Sequence, residues 1–218
     1  MSLVGKNRDI FSYTNENRDG SKFLYKDFEK TESYHSSFVN AVFSGTSLRG
    51  AKMKYCNFTG CSFSGVDFVG TNLRGSNFKN ARFERCIFVS VTFESANLKD
   101  ATFENCYMIG NLLSKAKNVP EDITGIKMFS RPLDEPISDE LAAVVQALRE
   151  NDNIRRSHTL HGKNRTLNLL SLIILKETYS EEDLVRLLPL LPQYISTQFY
   201  TFSYLDALLT KISKEHII

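Results

Sequence analysis

The stretch "NFTGCSFSGVDFVGTNLRGSNFKNARF", residues 57–83, places a bulky apolar residue on every fifth position: Phe58, Phe63, Phe68, Leu73, Phe78 and Phe83. Helical side chains recur every 3.6 residues and strand side chains every two, so neither accounts for a period of five. Stepping by five from Phe23 to Leu113 gives 19 positions, and 18 of them hold Phe, Leu or Met; Ser33 is the exception. Of the 20 residues of these types between 21 and 113, only Leu24 and Leu112 fall off the phase. Repetition this strict is read as architecture before any local propensity.

The other positions keep the same clock. Two before each centre the residue is small, as at Ala41, Thr46, Cys56, Cys61, Val66, Ser76, Ala81, Cys86 and Cys106. Two after it come turn formers such as Asn40, Gly45, Gly60, Gly75, Asn80 and Asp100, and seven of the chain's 11 glycines sit there. Such residues tolerate the left-handed or tight backbone that a corner needs. Each unit therefore supplies one large and one small inward residue, a corner and two outward residues. Four short sides close a coil of about 20 residues, and coils stack at roughly the 4.8 Å separation of neighbouring strands. The spacing predicts a four-sided β-helix of about five coils.

Sorting the centres by coil gives four interior columns. Phe23, Phe43, Phe63, Phe83 and Phe103 form an unbroken ladder of rings, and Phe38, Phe58, Phe78 and Leu98 form a second. The third holds Phe28, Leu48, Phe68, Phe88 and Met108; the fourth holds Ser33, Met53, Leu73, Phe93 and Leu113. Ser33 is read as the mark of a weak first coil near the start of the solenoid.

The units "TNLRG", "SNFKN", "ANLKD" and "ATFEN" resemble the pentapeptide-repeat family, whose motif reads A(D/N)LXX with Phe often at the centre. The resemblance covers roughly residues 21–118. It implies a right-handed quadrilateral β-helix, and it implies no enzyme activity. The family's best-known role is protection of DNA gyrase by a solenoid that mimics the charge and shape of duplex DNA. Mimicry needs rows of carboxylates. Here the outward acids are isolated (Asp27, Asp67, Glu84, Glu94, Asp100, Glu104), and residues 1–118 carry 16 Lys+Arg against 11 Asp+Glu. A topoisomerase-interacting or protecting protein is therefore the alternative reading.

The phase fails after Leu113. "NVPEDITGIKMFSRPLDEPIS" reads as a linker, holding at most one decayed coil at its start, and beyond it the period becomes helical. The expected organisation is an N-terminal tail or cap over 1–20, the β-helix over 21–118, a linker over 119–137 and a small all-α domain over 138–218. Ser138 is the expected N-cap of "DELAAVVQALRE", with Leu141, Val144, Val145 and Leu148 on one face. "TLNLLSLIILKE" reads as a central helix, Ser180 with Asp183 as a capping box, and Ser203 as the cap of "YLDALLTKIS". The helices are expected to cover the last coil's unpaired edge, because open strand edges invite aggregation.

Among outward positions, Val69, Ile87, Val89, Tyr107 and Ile109 form one apolar patch, the expected contact surface for the chain's own helices, a second copy or a partner protein. The four cysteines all occupy the small inward slot and read as core filler. In "RRSHTLHGKNR", His158 and His161 sit at i, i+3 without a third ligand, which is too few for zinc; the segment reads as a solvated inter-helix loop. Outward Arg49, Lys52, Lys54, Arg74, Lys79 and Lys99 lack an interleaved aromatic platform, so nucleic acid is not an expected partner. No catalytic, cofactor or metal site is assigned. With a net charge of +2, no long apolar run and no signal-peptide core in "MSLVGKNRDIFSYTNENRDGSK", no membrane association and a cytoplasmic location are expected. The resulting expectation is a non-catalytic interaction or scaffold module, a β-helix rod with a helical domain for partner or self association.

Overall fold

The computed structural model describes residues 11–110, 112–130, 133 and 135–216. The chain forms two compact units, Met1–Arg131 and Pro132–Ile218.

The first unit is a parallel β-solenoid. Strands β1 (Lys22–Leu24), β3 (Val42–Ser44), β5 (Ser62–Ser64), β7 (Arg82–Glu84) and β9 (Thr102–Glu104) form one sheet, in that order. β2 (Glu32–Tyr34) pairs with β4 (Lys52–Lys54) on a second side. β6 (Asp67–Val69), β8 (Ile87–Val89), β10 (Cys106–Ile109) and β11 (Ile126–Phe129) make the third. The fourth side is held by parallel bridges Ser37↔Asn57, Asn57↔Asn77, Asn77↔Asn97 and Asn97↔Lys117. These four sides are the four columns read from the sequence.

The register is set by 20: Phe43 faces Phe63 and Phe63 faces Phe83 across neighbouring strands. The Phe23–Phe103 ladder stacks continuously, with ring centroids 4.7–5.0 Å apart. Phe38, Phe58 and Phe78 stack at 5.1 and 4.9 Å, and Phe68 and Phe88 at 4.9 Å. Rings of adjacent columns meet edge to face, as in Phe58–Phe63 at 5.8 Å, so stacked and T-shaped contacts alternate through the interior, both favourable for aromatic quadrupoles.

The remaining positions explain why the coil closes. Every fifth residue from Asn15 to Gly110 has a positive φ, including the bulky Tyr25, His35, Tyr55 and Arg85. The small slot does more than fill space. Thr46 and Thr71 Oγ1 and Ser76 Oγ each donate a 2.8 Å hydrogen bond to the carbonyl of a centre residue one coil back (Phe23, Leu48 and Met53), and Cys61 Sγ donates likewise to Phe38. A buried hydroxyl thus satisfies a carbonyl at the bend.

Two boundaries differ from the sequence expectation. Residues 14 and 17 already pair, Thr14↔Tyr34 and Asn17↔Ser37, so the part of 1–20 from Tyr13 onward belongs to the solenoid; residues 1–10 lie outside the described residues. Ser33 accordingly does not open the solenoid. It is fully buried, its hydroxyl accepts the Tyr13 N–H at 3.1 Å, and the Tyr13 ring packs on Phe23 and edge-on to Phe38. A small centre leaves room for the chain to begin a coil above it. At the other end, Ile126–Phe129 inside the expected linker is β11, paired in register with β10. The phase was obscured by a slip: Ser95 N–H bonds to Lys115 O, twenty residues on, where Gly75 reaches Glu94, nineteen on. The next position on the phase is the polar Asn118, which is exposed with a φ of 51° and bonds outward to Asn97 Oδ1.

The second unit is helical: α1 (Asp139–Ala147), α2 (Asp152–Ser157), α3 (Leu169–Lys176), α4 (Glu181–Leu187), α5 (Leu191–Tyr194) and α6 (Phe202–His216). α4 packs against α1, α3 and α6, burying Leu141, Val145, Leu184, Leu187, Leu205, Leu209 and Ile212. Ser138 caps α1 by accepting the Leu141 N–H, and Ser180 caps α4 through the Asp183 N–H at 3.0 Å. Two helix starts shift. Asn168 caps α3, so "TLN" lies outside it, and Ser203 lies within the first turn of α6, which begins at Phe202.

Candidate functional site

The solenoid interior is filled by rings and by hydroxyls and thiols that bond to backbone, which leaves the outward columns as the candidate surfaces. The expected contact patch lies on the β6–β8–β10–β11 side. Cross-strand register places Val69, Val89, Ile109 and Phe129 in one column and Asp67, Ile87, Tyr107 and Lys127 in its neighbour. The structure therefore brings together all five expected residues and adds Phe129, whose ring stacks on Tyr107 at 6.3 Å. Phe129 was missed because it lies beyond the phase slip. Its exposure corrects the simple reading: Ile87 and Ile109 are only 5% and 6% exposed, while Val69, Val89, Tyr107 and Phe129 are half-buried.

The ladder residues are interior, as expected. Phe23, Phe38, Phe43, Phe58, Phe63, Phe78, Phe83 and Leu98 are buried; Phe103, near the end of its column, is partly buried and packs against the core. The cysteines are buried and free. Burial pushes the Cys56 thiol up to about 11 and Cys61 to about 12, and Cys86 rises well above the ordinary thiol value for the same reason. A thiol so placed supplies little thiolate.

The sequence reading found no aromatic platform beside the basic residues; the structure corrects this. His35 and Tyr55 stack on one corner with centroids 5.2 Å apart and planes 8° from parallel. Lys54 lies 5.0 Å from the centroid of Tyr34. A Cβ on Gly75 would meet Tyr55 Cδ1 at 2.4 Å, so this glycine makes space for the ring lying across it. The signal in the sequence was positional: aromatic residues on the corner phase, where turn formers belong. Nearby cations are matched, Lys52 to Glu32 at 3.0 Å and Arg74 to Glu94 at 3.3 Å.

His158 and His161 do not form a helical pair. α2 ends at Ser157, and His158 takes a left-handed φ of 57° that terminates it. His161 is 1% exposed, with Nε2 at 2.7 Å from the Val145 carbonyl and Nδ1 buried without a hydrogen-bond partner. Burial first, then the Arg149 and His158 charges, hold its pKa below the ordinary histidine value. Arg155 and Arg156 both pair with Asp152. Among the described residues no group of three or more His, Cys, Asp or Glu could hold a metal ion, and no helix is long and apolar enough to cross a membrane.

Comparison with known proteins agrees with this architecture. Two family models described as pentapeptide repeats match, at residues 34–65 and 68–110. No curated protein matches. Solved structures that resemble the chain include the pentapeptide repeat protein alr5209 from Nostoc Pcc 7120, at 20% identity over 47% of this chain and 84% of that one, TM-score 0.43. HetL, a pentapeptide repeat protein involved in heterocyst differentiation regulation from Nostoc sp. strain PCC 7120, matches at 15% identity over 50% of this chain and 52% of that one, TM-score 0.28. QnrB1, a plasmid-mediated fluoroquinolone resistance protein, matches at 17% identity over 54% of this chain and 91% of that one, TM-score 0.29.

Proposed function

We propose, from the premise that the solenoid of this chain is a pentapeptide-repeat β-helix, that the protein is a non-catalytic interaction module acting in the cytoplasm. The observation carrying this reading is the apolar outward column Val69–Val89–Ile109–Phe129, built on consecutive paired strands. Outward sheet positions are ordinarily polar, and clustered apolar residues mark contact surfaces. The β-helix supplies a stiff support because each coil is bonded to its neighbours along every side. The helical unit offers a second, separately folded surface for partner or self association.

The topoisomerase-protecting alternative is disfavoured by charge. Mimicry of duplex DNA requires a continuous row of acids, yet Glu32, Glu84 and Glu94 are each ion-paired with a basic residue of the solenoid. A supercoiling assay with added protein tests it, and undiminished topoisomerase activity is expected. The main reading is tested by placing a photo-crosslinking amino acid at Val89, with Ser64 on another side as control. In extract of the source cells, a discrete protein adduct at Val89 alone is expected. The same adduct pattern at both positions would overturn the reading.

A further inference from the structure

We propose that the side of the solenoid carrying the bridged asparagines is a docking face for an acidic helical segment of a partner protein. This rests on the interaction-module reading and names the chemistry of one of its partners. Lys79 and Lys99 stand one coil apart in the same outward column, and Lys117 lies one coil further in the adjacent column, bridged to Asn97. All three are exposed, and none makes an ion pair with a described residue. On the neighbouring side, by contrast, Lys52 and Arg74 are matched by Glu32 and Glu94.

Like charges directly opposite on neighbouring strands cost stability, and here the backbone holds them there. Asn77 Oδ1 accepts the Lys79 N–H and Asn97 Oδ1 the Lys99 N–H, both at 3.2 Å. Those asparagines are themselves tied into a ladder: Asn77 Nδ2 to Asn57 Oδ1 at 3.4 Å, Asn97 Nδ2 to Asn77 Oδ1 at 2.9 Å, and Asn118 Nδ2 to Asn97 Oδ1 at 2.8 Å. The lysine columns are thus fixed at their base before any partner arrives, which lowers the ordering cost of binding.

The spacing favours a helix as the occupant. Rings in the interior column behind these lysines repeat at 4.9 Å. A helix advances about 5.4 Å per turn, so acids at i, i+3 or i+4, and i+7 along one stripe meet successive lysines. Single-stranded nucleic acid is a poorer match, because it needs stacking groups among the cations. The exposed His35–Tyr55 stack lies in earlier coils than Lys79, Lys99 and Lys117, and the half-buried Tyr107–Phe129 stack lies on another side.

The test is fluorescence anisotropy with the full chain and a labelled alanine-rich helical peptide bearing glutamate at i, i+4 and i+7, against the same peptide with glutamine. Measurements are made at low salt and at about 0.15 M, where screening is substantial. Expected are saturable binding of the glutamate peptide only, weakening with salt, and at least tenfold loss in Lys79→Glu/Lys99→Glu. The charge-neutral Lys79→Gln/Lys99→Gln pair should give an intermediate loss, and Lys22→Glu/Arg82→Glu on another side none. Unchanged circular dichroism shows that the variants fold. No binding, or equal loss in both reversal variants, overturns the proposal. So does tighter binding of a 20-nucleotide oligo-dT that the Lys79/Lys99 reversal abolishes, which would make the occupant nucleic acid. Self-association lost in that same variant overturns it in favour of a second copy. These outcomes leave the Val89 crosslinking result untouched, so failure here is distinguishable from failure of the broader reading.

Discussion

Replacing Phe63 by alanine tests the central physical claim, that the solenoid is held by a continuous column of rings. Phe63 is buried at 1% exposure, stacks face to face on Phe43 and Phe83 at 5.0 Å each, and meets Phe58 and Phe68 edge-on at 5.8 and 5.4 Å. Truncation removes the transfer free energy of the ring and leaves a cavity that rigid coils on both sides cannot close, a loss of about 3–5 kcal/mol. Ring–ring geometry adds about 0.5–1.5 kcal/mol per pair beyond area, so the upper end, about 5 kcal/mol, is expected. Phe103 is the internal control: it is only partly buried, stacks face to face on Phe83 only and meets Phe88 edge-on at 6.2 Å, so Phe103→Ala should cost less, about 2–3 kcal/mol. The assay is urea denaturation followed by near-ultraviolet circular dichroism in the phenylalanine bands, which report the solenoid because most rings lie there and the chain has no Trp. With a slope of about 2 kcal/mol per molar urea, a 5 kcal/mol loss moves the midpoint by about 2.5 M. Phe63→Ala costing no more than Phe103→Ala would refute the reasoning, since the stack would then contribute nothing beyond ordinary burial.

Gly125→Ala should be severely destabilising at the end of the solenoid, because its Cβ would stand 1.9 Å from the Phe103 carbonyl oxygen, which is backbone and cannot swing away; amide exchange should show protection lost in β11 while β5 keeps its own. Gly75→Ala should cost about 1–2 kcal/mol from the left-handed backbone alone, at its φ of 67°. Part of any further loss should return when Tyr55, whose ring occupies the space, is also cut to alanine in a double-mutant cycle. For His161 the depressed folded-state pKa fixes the sign of the pH dependence. Above the unfolded value near 6.5 the ring is neutral in both states, and below it the unfolded chain takes up the proton first, so stability of the helical unit is lost as pH falls through the folded pKa. Thermal melts of the wild type should therefore drop as the pH is lowered below about 6.5 while His161→Gln, which keeps an N–H for the Val145 carbonyl, stays flatter; parallel curves would refute this. Cys56 and Cys61 should resist a disulfide reagent in the native state at pH 8 and react on unfolding, given values of about 11 and 12.

The solenoid was legible because its signal is redundant: the centre, the small slot and the corner each repeat, so Ser33 could depart from the apolar rule without hiding the phase. What was lost lay where redundancy ends. A single slipped residue around Lys115 and the polar Asn118 were enough to make β11 look like linker, and with it Phe129 left the contact column. At the other end, a coil begun by Tyr13 has few repeats to announce it. The corner aromatics were missed for a different reason. Tyr55 and His35 adopt the positive φ that glycine prefers, a backbone state forced by the register of the surrounding coils and invisible to local propensity. His161 shows the limit in the helical unit: the polar segment around it reads as a solvated loop, yet His161 is buried, and which nitrogen meets the Val145 carbonyl is decided by tertiary packing.

The coil length makes the solenoid tolerant of one kind of sequence change and acutely sensitive to another. Duplicating twenty residues would add a storey and return every later side chain to its own wall, with new rings continuing the columns from Phe23 and Phe38. Duplicating five would preserve the packing just as well, yet turn everything downstream by a quarter revolution. Lys79 and Lys99 would then look out from a different wall than Asn57 does. Length variation in steps of five is therefore a way to rewire which outward residues share a wall without disturbing what lies inside.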